Sequence, residues 1–140
     1  MDKLSSEPKG KLLVALSGGV DSSVAALLLR RQGREILGTY MRTWHDEDQR
    51  RPLGHCPWQE DLQHARSVAE QLSIPFSVVN MIERYRRWVV RPLVEGYRDG
   101  LTPNPDILCN RHIKFGFLAD YARELGCAGL ATGHYCQKQT

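Results

Sequence analysis

No C-x-x-C pair occurs in this chain, and its four cysteines, Cys56, Cys109, Cys127 and Cys136, are scattered. That density is too low for a disulfide framework, and the spacing matches no zinc ribbon or finger. In a reducing compartment each is either a small buried hydrophobe or a reactive thiol. Long apolar runs are missing too: the longest, Val24 to Leu29, falls far short of a membrane span. The segment Met1 to Lys11 is polar, with Asp2 and Glu7. It has neither the apolar region of a signal peptide nor the acid-poor character of a transit peptide. A dominant charge is also lacking, since 19 Lys and Arg face 16 Asp and Glu for a net +3. That balance excludes a strongly basic nucleic-acid module or an acidic tail. A cytoplasmic protein with no membrane partner is the expectation.

What remains is ordinary globular composition, 41% hydrophobic and 25% charged over 140 residues, which suits a single domain or part of one. Of the cations, 14 are Arg, which fits phosphate contacts and compositional bias equally well. Short apolar runs at Leu12 to Leu16, Ile36 to Met41, Phe76 to Ile82 and Ala128 to Thr132 read as buried strands. Helical periodicity separates them. Val20, Val24, Leu27 and Leu28 share one face, as do Trp58, Leu62, Ala65, Ala69 and Leu72, and then Ile113, Phe117, Tyr121 and Leu125. Tyr85, Trp88, Val89, Leu93 and Tyr97 suggest a further helix, which Pro92 should kink or split. Strand alternating with helix predicts an α/β fold, a parallel sheet flanked by helices on both faces. Two loops interrupt it, Thr43 to Pro57 and Leu101 to Asn110. Ligands in such sheets bind at the carboxyl ends of the strands.

The first strand runs directly into Ser17-Gly18-Gly19-Val20-Asp21-Ser22-Ser23 at a helix start. Paired glycines let the backbone approach a ligand, and a helix N-terminus offers N–H groups and a positive dipole to an anion. The three serines add hydroxyl donors. Asp21 is out of place in an anion cradle unless a cation such as Mg²⁺ joins it. The run is neither a G-x-x-x-x-G-K-[ST] loop nor G-x-G-x-x-G. Its bland counterpart is a strand–helix turn with a serine cap.

Further on, two prolines stiffen Leu101-Thr102-Pro103-Asn104-Pro105-Asp106-Ile107-Leu108-Cys109-Asn110 and disfavour helix before Cys109. Asn110 can then cap the next helix, leaving Cys109 at its start with Arg111, His112 and Lys114 behind it, a setting that favours thiolate. A buried structural cysteine beside a rigid turn fits these residues equally well. His45, His55 and Cys56 in the long loop are more simply a polar loop than a metal site. Arg84, Arg86, Arg87 and Arg91 flank the apolar stripe of their helix as a solvated basic face or, less readily, a phosphate-contacting patch.

Ser-Gly-Gly-Val-Asp-Ser after a first strand resembles the pyrophosphate loop of the ATP pyrophosphatase superfamily. Thr-Pro-Asn-Pro-Asp-Ile-Leu-Cys-Asn resembles the signature of the tRNA-specific 2-thiouridylases, the MnmA family. Gly38 to Trp44, Cys56 to Pro75, Ile113-Lys114-Phe115 and Ala131-Thr132-Gly133-His134-Tyr135 match in register. The resemblance implies an adenine nucleotide alpha-hydrolase-like, Rossmann-like domain over residues 11–140 behind a flexible tail at 1–10. It implies ATP held by Ala15, Leu16, Ser17, Gly18, Gly19, Val20, Asp21, Ser22 and Met41, with Gly133 at the adenosine side and Mg²⁺ near Asp21. Asn104, Pro105 and Asp106 would meet the target base, His134 would lie against tRNA, and Cys109 and Asp106 would be catalytic, Cys109 as nucleophile. The implied reaction replaces the C2 oxygen of the anticodon wobble uridine with sulfur, taken from a persulfide relay donor, through an adenylated intermediate. The family's second cysteine sits in a Gly-Ile-Cys-like context that neither Cys127 nor Cys136 matches. The chain therefore resembles the N-terminal part of such an enzyme, without its central tRNA-binding region and C-terminal β-barrel. Two other readings are a different ATP-pyrophosphatase ligase and a non-catalytic ATP- or RNA-binding module.

Overall fold

A computed structural model describes residues 10–43 and 57–134. His45, His55, Cys56, Cys136 and the long loop that follows Thr43 lie outside the described residues, as do the side chains of Trp58 and Asp106. Four parallel strands form the sheet: β1 (Leu12–Ala15), β2 (Ile36–Arg42), β3 (Phe76–Asn80) and β4 (Gly129–Ala131), in the order β3-β2-β1-β4. Leu12 pairs with Ile36 on one side and Gly129 on the other, so β1 is central. The predicted strand Phe76 to Ile82 ends early because Asn80 turns its side-chain oxygen onto the Ile82 N–H at 3.1 Å, where a helix begins.

Period-two alternation in β1 divides the core between the two faces of the sheet. Leu12, Val14 and Leu16 pack with Ala26 of helix α1 (Val20–Arg31) and Ala65 and Ala69 of helix α2 (Pro57–Gln71). Leu13 points the other way, into Met81, Val89, Ile113, Leu118 and Ala122. That second layer starts with α3 (Ile82–Tyr85), a π-helical segment Arg86–Val90 and α4 (Arg91–Arg98). It continues through α5 (Pro105–Leu108), a second π-helical segment Cys109–Phe117 and α6 (Leu118–Glu124).

Three local expectations change. The α1 face of Val20, Val24 and Leu28 points to solvent, at 77%, 45% and 52% exposure. The helix instead lays Ser22 and Ala26 on the sheet, because small side chains let it approach closely near the β1 turn. Pro92 does not split its helix. It occupies the first turn of α4, directly after the wider π segment, where its missing N–H and its ring are absorbed by the change of helical register. Leu125 lies just past the end of α6 and is 38% exposed.

Candidate functional site

The strand order places β1 beside β4, with their carboxyl ends opening on a common crevice. A cleft of about 370 Å³ lies there, within the usual size of a small-molecule site. Its floor comes from the end of β1 and the turn into α1: Ala15, Leu16, Ser17, Gly19, Val20, Asp21 and Ser22. Tyr40, Met41 and Thr43 line it from β2 and just beyond, and Thr132, Gly133 and His134 from beyond β4. Tyr85, Cys109 and Lys114 form the remaining wall.

The turn is held by its own hydroxyls. Ser22 is buried, and its Oγ accepts the Ser17 N–H at 3.1 Å and donates to the Gly19 carbonyl at 3.3 Å. Ser23 Oγ donates to the same carbonyl at 2.8 Å, and Ser17 Oγ accepts the Gly19 N–H at 3.3 Å. The serine hydroxyls expected to face an anion are thus spent shaping the turn. What a helix start of this kind offers an anion is its first-turn backbone N–H groups and the positive end of its dipole.

The glycines divide the work. Gly18 has φ +84°, and a Cβ there would come within 2.5 Å of the Asp61 carbonyl oxygen, so it seats the turn against α2 and stays outside the cleft lining. Gly19 has φ −87° and ψ 171° and faces the cleft. Gly133 crosses the first turn of α1 so closely that a Cβ would stand 2.6 Å from the Ser22 nitrogen. Its backbone therefore lies against the β1–α1 turn, a contact no short-range pattern announces.

On the opposite wall the helix begins earlier than the sequence suggests. Asn104, not Asn110, caps it: Asn104 Oδ1 accepts the Ile107 N–H at 3.4 Å and its carbonyl accepts the Leu108 N–H at 3.3 Å. The residue before Pro105 is kept out of the helix while Pro105 itself suits a first helical position. Cys109 consequently lies one turn into continuous helical backbone, half-buried, and not at a helix start. Asn104 and Pro105 are exposed and do not line the cleft. His134 stands between two partners, its Nε2 3.1 Å from Asn110 Oδ1 and its Nδ1 2.8 Å from the Thr132 hydroxyl. Burial, with help from the Lys114 charge, lowers the His134 pKa. Burial and the Asp61 charge raise that of the Tyr40 phenol, Arg42 opposing, and Tyr40 lines the cleft.

The family model of the tRNA methyl transferase HUP domain matches residues 10–140. The chain belongs to that family. As a HUP domain it is 52% identical over 128 residues to the tRNA-specific 2-thiouridylase MnmA of Akkermansia muciniphila, covering 91% of this chain and 35% of that protein. The MnmA of Dichelobacter nodosus is 47% identical over 132 residues, covering 94% and 34%. The chain thus spans about a third of the length of these relatives. Among solved structures, a predicted subunit of tRNA methyltransferase from Methanocaldococcus jannaschii superposes with TM-score 0.58 at 17% identity, covering 94% of this chain and 56% of that one. Glutamine-dependent NAD+ synthetase from Acinetobacter baumannii gives 0.59 at 15%, covering 89% and 21%. These two similarities are of fold.

Of the residues singled out from sequence, the HUP domain gathers Ala15 to Ser17, Gly19 to Ser22, Met41, Cys109, Gly133 and His134 in one cleft. Tyr85 joins them without any motif to mark it, legible only as part of a helical stripe, whereas Thr43 comes from the Gly38 to Trp44 run. Asp21 is the carboxylate of the lining. Among the described residues no three His, Cys, Asp or Glu side chains gather to hold a metal. No helix among them is long and apolar enough to cross a membrane.

Proposed function

We propose that the cleft binds ATP with Mg²⁺ and activates a tRNA uridine for sulfur insertion, as the name of the MnmA relatives suggests. The observation that carries this reading is that the β1–α1 turn and Cys109, far apart in sequence, line the same cleft. The triphosphate would lie over Gly19 and the first turn of α1, where N–H groups and the helix dipole favour negative charge. Gly133 keeps the approach free of side chains. Mg²⁺ takes few protein ligands and fills its octahedron with water and phosphate oxygens, so a single carboxylate, Asp21, is a sufficient protein ligand. Bound there, the ion would neutralise charge on the departing pyrophosphate.

In this reading the C2 oxygen of the wobble uridine attacks the α-phosphorus, and pyrophosphate leaves with the electron pair of the broken P–O bond. The terminal sulfur of a persulfide then displaces AMP from C2. The Cys109 thiolate attacks the inner sulfur of the persulfide, releasing the thiocarbonyl and leaving a disulfide with Cys109. Asn104 and Pro105, outside the cleft lining, would meet the base from the rim together with Asp106, and His134 would face the tRNA. The same reading sets the protein in a reducing cytoplasm with a persulfide-carrying donor.

Calorimetric titration of ATP and Mg²⁺ into the wild type and Gly19→Val tests the first stage. Gly19 has ordinary backbone angles and its added Cβ would meet only Ser17 Oγ, at 3.3 Å. Lost affinity there reports the ligand and not the fold, and equal affinities would overturn the phosphate assignment. For the second stage, the chain supplied with ATP, Mg²⁺, a persulfide donor and unmodified tRNA is expected not to make thiolated tRNA over repeated turnovers, read by retardation in a mercury-containing gel. Sulfur delivery needs two thiols in exchange, and only Cys109 fits either role. Product exceeding the amount of enzyme would overturn this.

A further inference from the structure

We propose that Arg84, Arg87, Arg91 and Arg111 form a docking surface for the phosphodiester backbone of RNA on the helical layer that also carries Cys109. The first three recur at i, i+3 and i+7, one helical stripe extending roughly 10 Å. All four side chains are exposed. Among the described residues none pairs with a carboxylate, whereas Arg123 holds Asp120 at 2.9 Å.

Aromatic contacts fix the patch. The Arg84 guanidinium lies 4.4 Å from the centroid of the Phe117 ring, and that of Arg87 lies 5.3 Å from Trp88. Trp88 in turn stacks on His112, with centroids 5.1 Å apart and planes 24° from parallel. This seam joins the helix carrying the three arginines to the segment carrying Arg111. Like charges held together in this way repel in the free protein and are relieved by an anion.

None of the four arginines lines the cleft, but they share the helical layer that supplies Tyr85 and Cys109 to its wall. Guanidinium forks suit phosphate oxygens in particular. A protein partner is less apt, because the centres of protein interfaces are depleted in charge and four arginines lie on this surface. The choice of RNA as the polyanion rests on the tRNA reading above; the location of the patch does not.

The test measures fluorescence anisotropy of labelled unmodified tRNA across a KCl series, with the wild type and two charge-matched triple variants. One is Arg87→Gln/Arg91→Gln/Arg111→Gln. Arg84 is left in place because it packs on Phe117. The other is Arg30→Gln/Arg31→Gln/Arg66→Gln, on α1 and α2 across the sheet. Each lost phosphate contact removes about 0.7–0.9 from the slope of log K against log salt, so the first triple should lose roughly 2–3. Its low-salt affinity should fall at least about tenfold, with the control triple unchanged. Equal losses in both variants, or none in either, would overturn the proposal. So would unchanged tRNA binding combined with lost binding of polyglutamate, which would assign the surface to an acidic protein. ATP titration of all three proteins runs alongside. Failure of the wild type to bind ATP would remove the cleft reading while leaving the RNA result to be judged on its slopes.

Discussion

Gly133→Ala isolates the contact that closes the cleft floor. The added Cβ would stand 2.6 Å from the Ser22 nitrogen and 2.8 Å from the Asp21 carbonyl carbon. Ordinary contact begins near 3.4 Å, so a movement of roughly 0.8 Å is required. Both atoms are backbone of the first turn of α1, and no flexible side chain can yield for them. Overpacking of this kind costs about 1–3 kcal/mol. At about 3–4 °C per kcal/mol for a chain of this size, the melting temperature should fall by roughly 3–12 °C. Gly19→Ala is the control two residues from α1's own Asp21. Its Cβ meets only a rotatable hydroxyl and its φ of −87° is ordinary, so stability should hold or rise by about 0.4–1 kcal/mol. Thermal and urea denaturation followed by circular dichroism measure both variants. A Gly133→Ala protein that melts with the wild type would refute the close approach of the β4 loop to α1, and with it the role of this glycine in shaping the cleft.

Cys109 should alkylate faster than Cys127 near neutral pH, as mapped by mass spectrometry after competitive labelling. Cys127 is only 7% exposed, and burial raises its thiol pKa, so it holds less thiolate at a given pH. Faster labelling of Cys127 would contradict the burial argument. His134 should titrate by NMR below the ordinary 6.5. The unfolded chain then takes up its proton first on acidification, so this residue's contribution is complete above 6.5 and is lost as pH falls toward the folded pKa. Lys114→Gln should raise the midpoint only part of the way, since burial is the larger cause. Ser22→Ala should cost about 0.5–1.5 kcal/mol in urea denaturation, because it removes the buried hydroxyl that accepts the part-buried Ser17 N–H. A loss well below this range would show that the hydroxyl does not hold the turn.

The parallel α/β arrangement was legible from periodicity alone, because strands buried on both faces leave short continuous apolar runs and covering helices leave repeats of three and four. The β1–α1 turn was legible because its chemistry is local, within seven consecutive residues. The strand edges were less so, since Asn80 ends β3 with a side chain whose target is set by the finished turn. On α1 the periodicity was real but its direction was inverted. Apolar spacing says that Val20, Val24 and Leu28 share a face, not which face a sheet will cover, and close approach favoured Ser22 and Ala26.

The tertiary structure alone decided what meets what. Both Gly18 and Gly133 are required by backbone from distant segments, Asp61 and Ser22, so neither could be understood from neighbours in the chain. The helix around Cys109 starts at Pro105 because Asn104 caps it, and the cysteine's surroundings are therefore a cleft wall and not a helix end. His134 reaches Asn110 across the crevice only because β4 pairs with β1 in this register. Local patterns encode conformations within a turn or two of the chain. The contacts that make a cleft are set by packing between segments that the sequence keeps apart, and only the folded sheet brings them within bonding distance.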